Sequence, residues 1–106
     1  MIFEIAVIEV KPGCEEDFEQ GVREALPVFS RAKGYKSLRL ERSIENPRRY
    51  HLIVAWETLE DHTVAFRNSP DFQVWRSLVA ETFAAPPAVE HVNLVLSGSE
   101  RHGDPS

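Results

Sequence analysis

Apolar and polar positions follow two rhythms along this chain, and the rhythm changes wherever turn residues intervene. Ile2 to Val10 is dense in β-branched residues and stops at Lys11-Pro12-Gly13, which predicts a strand. Ile2, Ala6, Ile8 and Val10 share one of its faces and Phe3, Ile5 and Val7 the other, with Glu4 and Glu9 as interruptions. From Glu15 to about Lys33 the spacing lengthens. Phe18, Val22, Leu26 and Phe29 recur at helical intervals and predict one buried stripe. Glu15, Glu16 and Asp17 suit the positive end of that helix, and Arg31 and Lys33 its negative end, with Gly34 as the stop. Pro27 removes one backbone bond inside the helix and should kink the last turns or split them off.

The alternation then returns. Tyr35 to Ser43 puts Leu38 and Leu40 on one side and Ser37, Arg39 and Glu41 on the other, a strand with one wet face. Asn46-Pro47 marks a turn, and Tyr50 to Glu57 comes back as a strand with Tyr50, Leu52, Val54 and Trp56 on one face. His51, Ile53 and Ala55 occupy its other face. Thr58 caps a helix, with Asp61 completing a capping box, and Leu59, His62 and Phe66 share its face up to Asn68. Ser69-Pro70 starts another helix, with Phe72, Trp75, Val79 and Phe83 as its stripe, flanked by Leu78 and Thr82. Pro86-Pro87 stops it. Val89 to Leu96 reads as the last strand, with Val92, Leu94 and Leu96 on one face. Residues 1–96 therefore form one domain, and 97–106, without a large apolar residue, a flexible C-terminal tail.

The order β-α-β-β-α-α-β predicts an α+β protein of the ferredoxin-like, split β-α-β kind, with a four-stranded antiparallel sheet and strands one and three at its centre. The Arg/Glu-rich second strand suits an edge. Helices cover only one face of such a sheet. Strand one and much of strands three and four are apolar on both faces, so the second face requires a cover. A second copy of the chain, packed sheet to sheet about a twofold axis, supplies one; a homodimer is expected.

Composition narrows the function. A length of 106 residues allows one modest core. The 17 acidic against 12 basic side chains give a net charge of −5, and no basic face gathers, so nucleic acid is not an expected partner. Arg48 and Arg49 read as solvated turn residues. The single cysteine, Cys14, sits beside Glu15 and Glu16 and offers neither a disulfide nor an activated thiolate. No apolar run is long enough for a membrane span, and the acidic start is unlike a signal peptide, so a cytoplasmic location is expected.

Trp56 closes the third strand and is followed by Glu57-Thr58, His62 and the break Ser69-Pro70-Asp71-Phe72; Pro86-Pro87-Ala88-Val89-Glu90-His91 leads into the last strand. On these residues the chain resembles the antibiotic biosynthesis monooxygenase (ABM) domain of the dimeric α+β barrel superfamily, over most of residues 2 to 96. The resemblance implies oxidation of a small hydroxylated aromatic, of quinol or anthrone type, by O₂ without metal or other cofactor. The phenol is deprotonated, its anion reduces O₂, and the caged pair recombines to a quinone. The protein must hold the ring, stabilise the phenolate and exclude water.

By this resemblance the catalytic candidates are Trp56 as a ring wall, His62 as the group taking the phenol proton and Arg76 as the holder of the oxyanion. Phe66, Leu52, Phe72 and Asn93 are the candidates for substrate contact, with His91 beside Asn93 on the last strand. Leu52 stands where some members carry an asparagine, so one polar contact is lost. The bland alternatives are that Trp56 is core, that His62 is bonded to a neighbour, and that Arg76 snorkels along apolar surface beside Trp75. The haem-degrading branch of the family uses an asparagine, a tryptophan and a histidine where this chain has Ala6, Ala65 or Phe66, and Arg76, which speaks against haem chemistry. The remaining rival is a non-catalytic dimeric module that binds a small ligand or a partner chain. A cavity lined by Trp56, His62 and Phe66 favours the enzyme; a core filled by them favours the module.

Overall fold

The computed structural model describes residues 1–100. Its elements are β1 (Ile2–Glu9), α1 (Glu15–Ser30), β2 (Tyr35–Arg42), β3 (Arg49–Trp56), a π-helical turn (Asp61–Phe66), α2 (Pro70–Val79), a 3-10 turn (Ala80–Thr82) and β4 (Ala88–Val92). The strands form one antiparallel sheet in the order β2-β3-β1-β4, the ferredoxin-like arrangement, with β1 and β3 central and the Arg/Glu-rich β2 at an edge. No helix among the described residues is long and apolar enough to cross a membrane.

The helices pack on one face. Ala6, Ile8 and Val10 from the β1 stretch and Tyr50, Leu52, Val54 and Trp56 from β3 are buried against Phe18, Val22, Ala25 and Phe29 of α1 and Trp75 and Val79 of α2. Two glycines permit this packing. A Cβ on Gly21 would lie 2.6 Å from the Leu78 carbonyl oxygen, so α1 and α2 touch backbone to backbone there. Gly34 has φ +79° and faces Asp61, whose Oδ2 would sit 1.9 Å from an added Cβ. At the far ends of these helices Arg31 donates two hydrogen bonds to Asp71, at 2.8 and 2.7 Å, which ties the end of α1 to the start of α2.

Five local expectations are corrected. The α1 stripe passes through Ala25, not Leu26, which is 43% exposed, because the helix turns its Phe18–Val22–Ala25–Phe29 edge to the sheet. Pro27 does not split the helix, which runs on to Ser30. The helix after β3 widens into a π turn, although Thr58 and Asp61 do form the reciprocal cap, with bonds of 3.1 and 3.3 Å. The next helix ends at Val79 instead of reaching Phe83. The 3-10 turn frees Phe83 to bridge Val10, and Ala84 donates to the Glu9 carbonyl, which extends the sheet past its last regular pair. Finally, β4 stops at Val92, and Leu94, Val95 and Leu96 lie exposed, with no neighbouring strand to hold them. Of the predicted tail, residues 97–100 carry no regular structure and 101–106 lie outside the described residues.

Candidate active site

The strand phase of β1 places Glu4 with Ala6 and Ile8, on the face covered by the helices. It is 5% exposed. A carboxylate there must be met by donors. Trp56 supplies one: its indole Nε1–H donates to Glu4 Oε1 at 3.1 Å. His62, 3% exposed, packs beside it, with Nε2 at 3.2 Å from the same oxygen, an ion-pair distance without hydrogen-bond geometry. The other nitrogen of His62, Nδ1, is 2.8 Å from Nε2 of His91. His91 stands directly opposite Glu4 in the β1–β4 register and is half-buried. The four side chains come from two central strands, the π turn and an edge strand. The result is a continuous chain: Trp56 to Glu4, Glu4 to His62, His62 to His91.

Burial sets the charges. It pushes the Glu4 carboxyl up from its ordinary 4.5 to about 7, against the lowering pull of the Trp56 hydrogen bond and the Arg67 charge. It brings His62 down from 6.5 to about 4, helped by Arg67 and then His91. His91 is lowered as well, by burial first and Arg67 second. Glu4 and His62 thus have ion-pair spacing, yet desolvation favours the uncharged form of each, and His62 is a neutral imidazole. An ionised Glu4 only accepts, so in that state the His62 proton is on Nε2. Its Nδ1 then accepts from the Nε2–H of His91.

Glu4 and His62 open onto a cavity of about 390 Å³. Phe29, Phe66, Phe72, Trp75 and Phe83 wall it, with Leu52 and Ala6 on the sheet side. Pro86, Pro87 and Val89 border it on the β4 side, and Arg67 and Arg76 add two cations. Glu4 is the one carboxylate among the lining residues. Walls of this kind, with a few convergent polar groups, suit a small aromatic ligand.

Of the sequence-derived candidates, His62, Arg76, Phe66, Phe72 and Leu52 are brought together around this cavity. Trp56 is not among its lining. It is fully buried, stacked on His62 with ring centroids 5.3 Å apart and an interplanar angle of 18°, and hydrogen-bonded to Glu4 behind the cavity wall. Asn93 is exposed, one residue beyond the end of β4, and away from the lining, because the strand ends before the side chain can be carried inward. Glu4, Arg67 and the linking role of His91 were not foreseen. Glu4 was detectable, since it shares the even-numbered phase of Ala6 and Ile8. Among the described residues no group of three or more His, Cys, Asp or Glu side chains has metal-binding geometry.

Comparison with known proteins places the chain in a family. The family model described as "Antibiotic biosynthesis monooxygenase" matches residues 1–78. The uncharacterised Bacillus subtilis protein YczJ is 42% identical over 91 residues, covering 86% of this chain and 96% of its own. The crystal structure of a "Putative antibiotic biosynthesis monooxygenase" from Bordetella bronchiseptica is 57% identical, with a TM-score of 0.89, covering 90% of this chain and 97% of that one. SnoaB, a cofactor-independent oxygenase from Streptomyces nogalater, shares the fold, with a TM-score of 0.80 at 16% identity and coverage of 93% and 97%.

Proposed function

The chain belongs to the antibiotic biosynthesis monooxygenase family, and we propose that it is a cofactor-independent oxygenase that oxidises a small hydroxylated aromatic with O₂. The observation that carries this reading is the cavity: aromatic walls around one buried carboxyl–imidazole pair and two arginines. The ring is held by Phe66, Phe72 and the neighbouring aromatics, while Leu52 keeps the sheet side apolar. The hydroxyl proton leaves toward the Glu4–His62 end. Arg76, with Arg67 beside it in the lining, balances the charge of the phenolate. Exclusion of water by the apolar walls strengthens both effects and shields the radical pair from side reactions. The activity carried in SnoaB's description supports the same chemistry on this fold.

The test is O₂ consumption by chelator-treated protein with a panel of hydroquinones, naphthoquinols and anthrones. Uptake above the spontaneous rate is expected for at least one of them. Arg76→Met should lower kcat/KM by about 10- to 100-fold. No uptake across the panel would leave the cavity as a binding site and return the chain to the ligand-binding alternative.

The open face of the sheet supports the homodimer. Phe3, Ile5, Ile53 and Val92 line a depression there, and the exposed Leu94–Leu96 run continues from the same edge. Apolar area of this kind is covered in the assembled protein by a second copy. Sedimentation at micromolar concentration should give a dimer, and Ile53→Asp should give a monomer; a wild-type monomer would sink this part of the proposal.

A further inference from the structure

We propose that Glu4, through its free oxygen Oε2, is the catalytic base that takes the substrate's hydroxyl proton, and that His62 and His91 are positioning residues that hold Glu4 in place. This rests on the oxygenase reading of the cavity and assigns its acid–base step.

The assignment follows from which lone pairs are left. His62 is the obvious base by residue type, but its Nδ1 is bonded to His91 at 2.8 Å, its Nε2 packs 3.2 Å from Glu4 Oε1, and its side chain is 4% exposed. Little of the imidazole is open to a ligand. Glu4 concentrates its contacts on one oxygen: Oε1 accepts from Trp56 at 3.1 Å and faces His62. No hydrogen bond among the described residues reaches Oε2, and Oε2 is not among the atoms sealed from the surroundings. Glu4 lines the cavity, so Oε2 is the acceptor available there. The groups facing it from each packed element are Trp56 on β3, His62 and Arg67 around the π turn, Arg76 on α2 and His91 on β4; α1 contributes only Phe29. No second carboxylate competes for the proton. Burial without a contacting cation holds the Glu4 carboxyl at about 7, where a base can both take and return a proton near neutrality.

The step balances for an anthrone-type substrate. The phenolic O–H bond breaks, an O–H bond forms at Glu4 Oε2, and the electron pair stays on the substrate oxygen. One electron passes from the anion to O₂, and the substrate radical and superoxide combine in a C–O bond. The resulting peroxide anion takes the proton back from Glu4. Loss of water from that hydroperoxide leaves the new carbonyl. O₂ is the oxidant, the ring carbon is oxidised, and Glu4 ends as it began.

The test reads the proton directly, without turnover. At pH ~8 both Glu4 and 4-nitrophenol are largely ionised, so the bound probe and Glu4 must share a proton drawn from the buffer. Titration calorimetry in buffers of different ionisation enthalpy should show uptake of about one proton per 4-nitrophenol bound by wild type. Glu4→Gln should still bind the probe but take up none, and its kcat/KM on any accepted quinol should fall at least about 100-fold. A ¹³C titration of the wild-type Glu4 carboxyl needs no variant and should have its midpoint near 7. His62→Ala should move the acidic limb of the kcat/KM profile to lower pH, since it opens Glu4 to water and burial is what raises its carboxyl; a purely structural role would change amplitude alone. Unchanged proton uptake in Glu4→Gln, none in wild type, or a Glu4 midpoint in the ordinary carboxylate range would overturn the proposal. Failure of wild type to bind the probe would remove the phenol site and the proposal with it. Absence of O₂ uptake with proton-linked binding intact would remove the oxygenase reading while leaving Glu4 as the proton acceptor.

Discussion

Strand β3 carries an aromatic side chain near each end that donates to a carboxylate, and the two ends behave differently. At one, Trp56 Nε1–H donates to Glu4 at 3.1 Å; at the other, Tyr50 Oη–H donates to Glu19 at 2.5 Å. Both aromatics are buried. The differences are burial and the cation: the Glu4 side chain is 7% exposed and that of Glu19 30%. Glu19 has Arg42 at 3.6 Å, and the same guanidinium sits 5.6 Å from the centre of the Tyr50 ring. Glu4 has only uncharged groups in contact, the donating Trp56 indole and the neutral His62 ring. At the Tyr50 end the carboxylate is paired and half-solvated. The perturbed group there is the phenol, whose pKa is pushed up by burial and then by Glu19, which makes it inert at neutral pH. At the Trp56 end the carboxyl itself is perturbed, to about 7. A half-solvated acid with a cation beside it is a brace, and a buried acid without one in contact is a titrating group poised for proton transfer. The aromatic-walled cavity opens at the second.

The largest break in this contrast should come from Trp56→Ala. It removes a fully buried indole and the one uncharged donor fixed to Glu4, and a loss of about 3–5 kcal/mol in denaturant unfolding is expected. Because the lost hydrogen bond favours the ionised form, the Glu4 midpoint should also rise above about 7. A midpoint that falls would mean that the indole does not stabilise the charge.

Next in size is Glu4→Gln, read as stability against pH. Glu4 has a raised pKa in the folded state. Its proton therefore stabilises the fold fully below 4.5, and that contribution is lost as pH rises through about 7. The stability of wild type relative to Glu4→Gln should fall by about 3 kcal/mol across that window. His62 has the opposite sign. Its depressed pKa gives stability present above 6.5 that is lost as pH falls through about 4. In the wild type the two slopes oppose each other between 4.5 and 6.5, so the glutamine variant should expose the His62 slope and destabilise on acidification. Parallel curves for the two proteins would show that Glu4 titrates normally.

The same contrast explains what could be read from the sequence. The sheet order, both helices and the central place of β1 and β3 follow from period and turn chemistry, which are local properties. Phe66, Phe72 and Leu52 were legible as inward-facing positions, and the cavity they line lies between layers that the pattern already defined. Glu4 carries a charge that argues for the surface, yet it lies in register with Ala6 and Ile8, so alternation alone puts it inside. Trp56 shows the converse limit. Its position on the inner face was right, but whether an indole fills the core or walls a cavity depends on packing from the π turn, which leaves no periodic trace. His91 and Asn93 turned on the end of an edge strand, the least determined boundary in the chain.

The Tyr50 end supplies the smaller effects and the sharper control. Tyr50→Phe removes one hydrogen bond at a part-buried site and leaves Glu19 with Arg42 as a charged partner, so a loss of about 1 kcal/mol is expected. Arg42→Met should cost less, about 0–1 kcal/mol, because the guanidinium is substantially exposed and its contacts to Glu15 and Glu19, at 3.9 and 3.6 Å, are long. Neither change touches the cavity, so kcat/KM and the position of its acidic limb should stay within about twofold of wild type, while chemical denaturation records the stability loss. The reverse construction sharpens the point further. Ala6 neighbours Glu4 along the cavity-facing side of β1, and Ala6→Lys would place a cation beside the acid. Glu4 should then ionise in the ordinary carboxylate range and lose its value as a base near neutrality, turning the Trp56 end into a second copy of the Tyr50 end. A ¹³C midpoint for Glu4 that stays near 7 with the lysine in place would show that missing charge compensation is not what sets it apart.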